Sequence, residues 1–424
     1  MKPIKQLITF ILLIICCNTK AQTPARDTFY MLKPDRVFDG EQMHEGWQIL
    51  VKNNMVLAAG VSMNTPSGTI VITLKGCTVL PGLIEGHSHL FLHPYNETPW
   101  NDQVLNESRA ERTARAVMHA HATVMAGFTT VRDLGTEGAM YDDVGLKQAI
   151  NKGVINGPHI IASTRAIVVK GSYGPRFESA DIDLPQGAAE VSNTDELLKE
   201  IRTQIGKGAD VIKLYADYRW GKNGEAMPTF SEAELRAGVE AANSTGRQLV
   251  VHSSTAEGMR RSIMAGVSTI EHGDDGTPEV FKLMKEKGIA LCPTIAAGDA
   301  VEQYHGWKKG IDPEPIRLQE KRKSFKAALD AGVIICMGGD VGVYAHGDNA
   351  REMEMMVDYG MKPIDVLRSA TSVNADVFGI SHIAGRIKAG IPADIIAVYD
   401  DPSKDISAVR KIKLVMIGGK IVRQ

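Results

Sequence analysis

The chain has 424 residues, 44% of them hydrophobic and 23% charged, a composition that excludes a disordered chain and suits a globular protein with a large core. Its 48 basic and 50 acidic residues leave a formal net charge of −2. No positive surplus points to nucleic acid as a partner, and no basic run is interleaved with aromatics.

Residues 1–21 have the pattern of an export signal. Lys2 and Lys5 give a positive start, residues 7–17 are apolar but fall short of the ~20 residues of a spanning helix, and Thr19-Lys20-Ala21 offers small residues for cleavage. The expectation is a secreted or periplasmic protein whose mature chain starts at Gln22, without a stable membrane span. A lipid anchor on Cys16 or Cys17 competes, and is disfavoured by the bulky Ile15 and by Cys16 ahead of Cys17. Cys77, Cys292 and Cys336 remain, odd in number and widely spaced, which implies packed thiols and no disulfide framework.

From residue 29 to 78 the signals are those of strands: Trp47, Ile49 and Val51 alternate with polar neighbours, and Asn53-Asn54 supplies a turn. Residues 394–398 and 414–422 look alike, so segments 22–80 and 383–424 are expected to pair into one small β-sandwich-like domain. Between them, over 81–382, strand-like and helix-like segments alternate. Candidate strands start at Leu83 and cover 128–131, 159–162, 211–214, 249–251, 269–270, 289–291 and 333–335; helices are expected at 106–125, 194–205, 231–242, 256–265 and 278–287. Ser231-Glu232-Ala233-Glu234 is a capping box, and glycines such as Gly266 and Gly288 end helices before the next strand. Eight such strands favour an α/β fold of the (β/α)8 TIM-barrel type. An open doubly wound sheet is the alternative, although the glycine fingerprint of a dinucleotide site is missing after the first strand.

Barrels of this kind carry their chemistry at the C-terminal ends of the strands. Pro81-Gly82-Leu83-Ile84-Glu85-Gly86-His87-Ser88-His89 ends the first candidate strand in two histidines that an extended backbone projects to one side, as two imidazole ligands of a metal ion require. The strand at 211–214 carries Lys213 in an apolar run, and the next two end in His252 and His272. Asp340 follows the last. Each histidine alone is an ordinary strand-end residue. Together, at the same end of different strands, they indicate a metal site. Lys213 is the odd member, because burying an ammonium in an apolar strand is costly unless its charge is altered or paired.

In this order and context these residues resemble the amidohydrolase superfamily, and the closing segment Ala384-Gly385-Arg386-Ile387-Lys388-Ala389-Gly390-Ile391-Pro392-Ala393-Asp394 extends the likeness over nearly all of the mature chain. The pattern is similar to imidazolonepropionase-like and prolidase-like members, many of which cleave dipeptides or related amides. The resemblance implies that His87, His89 and Asp340 hold one divalent metal ion and His252 and His272 a second, with zinc expected and manganese or iron open. It implies that Lys213 is carboxylated by CO2 and bridges the two. A hydroxide generated between the ions would then attack an amide carbonyl, with Asp340 carrying the proton to the leaving amine. Tyr215 and Tyr173 are candidate donors to the oxyanion.

Arg176 and the Arg219-Trp220 pair are candidates for gripping a substrate carboxylate, and His346 and Asn349 for lining the pocket entrance. His93 is expected to have left the strand, and His121 to pack through helical spacing with Ala114, Val117 and Val124. The function expected is an exported, binuclear, metal-dependent hydrolase of a small amide, a dipeptide or an N-acyl amino acid. Cyclic amide hydrolysis or deamination is the second enzymatic reading, and a non-catalytic extracytoplasmic ligand- or metal-binding protein the third. Assembly into a homo-oligomer is open.

Overall fold

A computed structural model describes residues 27–175 and 181–424; the signal at 1–21 and Arg176 lie outside the described residues. The chain starts with β1 (Phe29–Phe38), β2 (Met43–Glu45), β3 (Gln48–Lys52), β4 (Met55–Gly60) and the long β5 (Ile70–Pro81). β3 and β4 form the hairpin expected at Asn53-Asn54, where Asn53 takes the left-handed φ of 54° that such a turn needs. β1 pairs antiparallel with β3 and parallel with β5.

A parallel three-stranded sheet follows, ordered β6 (Leu83–Ser88), β7 (Phe128–Asp133), β8 (His159–Ala162). Helix Arg109–Met125 precedes β7 and helix Asp142–Asn151 precedes β8, the strand-helix-strand spacing that parallel pairing demands. Next come β9 (Ile167–Val169), β10 (Ala189–Val191), β11 (Val211–Tyr215), the short hairpin β12 (Asp217–Tyr218) and β13 (Met227–Pro228), then β14 (Gln248–Ser253), β15 (Thr269–His272) and β16 (Ala290–Cys292). Apart from that hairpin these strands form a second parallel sheet in the order β10-β9-β11-β14-β15-β16. The two sheets meet where Asp210 N–H donates to Ala162 C=O at 2.7 Å. On the far side they are linked through the segment after helix Ile316–Ala331, by isolated bridges Leu291↔Ile335 and Ser88↔Val341.

That segment is the expected strand at 333–335, reduced to bridges. A Cβ on Gly338 would meet Cys292 Sγ at 2.5 Å and His87 N at 2.7 Å, so the backbone is pressed against its neighbours and turns before a regular ladder can form. The expected helices 256–265 and 278–287 are found as Ala256–Ala265 and Pro278–Lys287, ended by Gly266 and Gly288 in the left-handed conformation. The capping box at Ser231 is present in full.

The chain ends in β17 (Ile395–Tyr399), β18 (Ile412–Ile417) and β19 (Lys420–Arg423). β17 pairs antiparallel with β5, so both chain ends lie in one eight-stranded sheet, β19-β18-β17-β5-β1-β3-β4 with β2 on β1. The hydrogen bonds trace this single sheet, where a sandwich-like pairing was expected. Successive residues of β17 face opposite ways, as a strand requires. Ile396 and Val398 pack into the core around the parallel sheets, while Ile395 and Ala397 pack with Leu32, Val79 and Leu414 into a second core. Cys77, Cys292 and Cys336 are free and buried. Among the described residues no helix is long and apolar enough to cross a membrane.

Candidate metal centre

The C-terminal ends of the parallel strands open into a cavity of about 600 Å³, lined by His87, His89, His252, His272 and Asp340 among others. His89 Nε2 stands 3.2 Å and His87 Nε2 3.6 Å from Asp340 Oδ1. Donor atoms of His87, His272 and Asp340 all lie within 4.8 Å of one another, and the His252 and His272 rings are 4.4 Å apart. Lys213 is buried in β11, its Nζ 5.5 Å from the centre of the Tyr215 ring.

Three of the four imidazoles are aimed by a partner on the other nitrogen. His87 Nδ1 is 3.0 Å from Glu271 Oε2, and Glu271 is in turn held by Arg132 at 2.9 Å, both fully buried. His89 Nδ1 donates to Gly135 C=O at 2.8 Å, and His272 Nδ1 meets Thr294 Oγ at 2.7 Å. Such partners fix the ring and its tautomer, leaving the opposite nitrogen for a ligand. Glu85 ties the strand ends together, accepting from His87 N–H, Gly339 N–H and Asn349 Nδ2. Glu137, His272, Thr294 and Asp340 all sit at positive φ, between 47° and 74°, strain of the sort that clusters at functional sites.

Burial, reinforced by Lys213, pushes His87 down to about 4, and burial does the same to His252. Both are therefore neutral, the form in which imidazole binds a metal. Burial also opposes a proton on His89, but the Asp340 carboxylate outweighs it and raises His89 to about 9. Asp340 is held near 2, burial being outweighed by His87 and His89. Its Oδ1 is buried without a well-formed hydrogen bond. Four converging imidazoles and a buried carboxylate facing two of them fit a divalent cation. Burial lowers Lys213 to about 8, an amine much closer to neutrality than a surface lysine.

Other expected site residues fare differently. Tyr215 lines the cavity, its ring stacked on His252 at 4.6 Å. Tyr173 also lines it, but its hydroxyl donates to Glu137 Oε2 at 2.6 Å, so the phenol proton is already engaged. Arg219 stands exposed at the rim. His346 does not line the cavity: it stacks on His119 at 4.3 Å and lies 3.1 Å from Leu92 C=O, because the chain after Asp340 folds back against Leu92. Asn349 is buried on Glu85, and His93 is buried between Glu97 and Glu107. His121 is exposed, since the helix buries Arg112, Ala116, Ala120, Thr123 and Val124 and so presents a face one step round from the expected one.

Sequence reasoning missed Glu137, Glu271, Arg132 and Asp217. Arg132 and Asp217 were reachable by the rule that selected His252, as polar residues closing or following a strand. Asp217 takes hydrogen bonds from Ser253, Ser254 and Thr255 and stands 3.8 Å from His252 Nε2. Glu271 lies inside β15 beside His272 and gave no signal of its own.

Residues 78–422 match the Amidohydrolase family. The ochratoxinase of Aspergillus niger is 27% identical over 418 residues, 91% of this chain and 84% of that protein. A solved Xaa-Pro dipeptidase with bound methionine in its active site is 30% identical, with a TM-score of 0.83 over 94% of this chain and 100% of that one. A prolidase solved with N-methylphosphonate-L-proline is 25% identical, with a TM-score of 0.82 over the same shares. The chain belongs to the amidohydrolase family and is a hydrolase of carbon–nitrogen amide bonds.

Proposed function

We propose that this protein is an exported, binuclear, metal-dependent hydrolase of dipeptides or N-acyl amino acids, its two parallel sheets being arcs of one (β/α)8 barrel and its terminal sheet a separate β domain. The observation that carries the reading is the convergence of His87, His89, His252, His272 and Asp340 on one cavity. The dipeptidase and prolidase likenesses support the choice of substrate.

His87, His89 and Asp340 would hold one divalent ion, zinc by donor type, and His252 and His272 the other. Bound there, the ions would supply a Lewis acid for the carbonyl and a water of lowered pKa. Lys213 would join them as an oxygen ligand once carboxylated: its neutral amine would add to CO2 and lose a proton, giving an anionic carbamate. Burial favours this, because it raises the neutral fraction that reacts. Asp340 accepts a proton from the attacking water and returns it to the leaving amine nitrogen. Tyr215, with its ring against His252, is the candidate donor to the oxyanion that lies against the imidazoles, while the Tyr173 hydroxyl donates to Glu137. Arg219 at the rim is the remaining candidate for a substrate carboxylate.

Metal analysis is expected to find about two divalent ions per chain, and a panel of dipeptides and N-acyl amino acids to include substrates whose hydrolysis chelation abolishes. One ion with unmodified Lys213 would move the protein to the deaminase class. No hydrolysis anywhere in the panel would defeat the peptidase reading. Fractionation of cells producing the full chain tests export.

A further inference from the structure

Glu137 is not among the residues assigned to the metal ions, yet it lines the same cavity and is only 2% exposed. Its Oε2 accepts from Trp100 Nε1 at 3.0 Å and from the Tyr173 hydroxyl at 2.6 Å. Its Oε1 is buried and, among the described residues, has no hydrogen-bond partner. A buried carboxylate oxygen left in that state is costly, and two donors do not fill the four lone-pair positions a carboxylate offers. The buried cation beside it cannot serve: Arg112 spends its guanidinium on the carbonyl oxygens of Phe91, Thr136 and Glu137 itself.

The surroundings suit one kind of guest. The rings of Trp100 and Tyr173 lie 5.0 Å apart, and Tyr173 is packed 4.7 Å from Tyr215 and 5.0 Å from Tyr218, so the carboxylate is set among aromatic rings. A carboxylate among aromatic rings attracts a cation, through its charge and through the negative ring faces. The place is also close to the reacting centre. Gly135, which orients His89, is two residues before Glu137, and Tyr215 links the Tyr173 ring to the His252 ring.

We infer that Glu137 is a specificity-determining residue that receives a cationic nitrogen of the substrate, so the preferred substrates carry an ammonium group near the scissile amide. This rests on the reading of the site as a hydrolase of small peptides, and where the α-amine is the group received it favours free dipeptides over N-acyl amino acids. The cation has two possible sources, the free α-amine of the first residue or a basic side chain, and both satisfy the same oxygen.

The test uses the zinc-loaded full chain and substrates that differ only in the amine: alanyl and propanoyl derivatives of methionine, of proline and of lysine. The expected result is a kcat/KM preference for amine-bearing members on the order of 10- to 100-fold, lost in Glu137→Gln and partly kept in Glu137→Asp. Alanyl over propanoyl assigns the α-ammonium; lysine over methionine at equal acyl group assigns the side chain. Because the readout is a ratio, general damage from the substitution cancels, and the wild-type ratios stand even if a variant fails to fold. Equal rates across each pair, or a preference that survives Glu137→Gln, would overturn the inference and leave amide hydrolysis intact. Failure to hydrolyse any of the six would instead bring down the peptidase reading, and this inference with it.

Discussion

The floor of the cavity and the terminal sheet are built on opposite terms. In the terminal sheet, Leu32, Val37, Ile49, Val79, Ile395 and Leu414 are buried and apolar, and the strands simply alternate between two cores. At the floor, Lys213, Arg132, Glu271 and Glu85 are buried and ionisable, and His272 and Asp340 hold strained backbone. Sequestering each such ion costs several kcal/mol and is offset only where partners are complete. The difference teaches that stability here comes from hydrophobic periodicity at the chain ends and around the sheets, while the floor draws on it.

Substitutions can break that comparison, starting with the one of largest expected effect. Asp340→Asn should lower kcat/KM on the order of 10⁴-fold, because ligand and proton carrier go together, while the thermal melting temperature barely moves. A matching loss of stability would place Asp340 with the structural residues. Glu271→Gln should cost about 3–5 kcal/mol in denaturant unfolding by stranding Arg132, and loosen metal binding through His87 by about 10- to 100-fold in a chelator competition. Leu414→Ala should do the reverse of Asp340→Asn. It is expected to cost about 2–4 kcal/mol of stability and to leave kcat/KM alone.

The smallest effect sharpens the boundary between the regions. His159, at the start of β8, meets Asp394 at 2.9 Å beside the terminal sheet, and this hydrogen bond raises the imidazole pKa above its ordinary 6.5. The pair's contribution is therefore full below pH 6.5 and fades as pH rises through the folded-state value. With the ring 46% exposed, solvent screening limits it to about 1 kcal/mol or less. Melting curves of His159→Gln and wild type should differ at pH 5.5 and converge at alkaline pH; a constant gap would show that packing, not charge, is at work.

Much of this was legible in the chain itself. Strand ends are marked by a change from apolar to polar residues, and that change located His87, His89, His252, His272 and Asp340, which the fold gathers at one cavity. Helix ends with a glycine, such as Gly266 and Gly288, were found to the residue. What stayed hidden depends on partners distant in sequence: Glu271 is 184 residues from the His87 it orients. His346 was misjudged for the same reason, since nothing local shows that its loop turns back onto Leu92 and His119. The brief strands β9 and β10 carry too few residues for a period to register.

β5 has a consequence for how the molecule comes into being. It accepts β1 along one edge and β17 along the other, joining residues such as Thr78 and Val398 that are separated by most of the polymer. Closing so large a loop is slow. A nascent chain leaving the ribosome therefore carries β5 with one edge open until β17 has been made, and removal of β17, β18 and β19 would leave that edge ready to capture another chain.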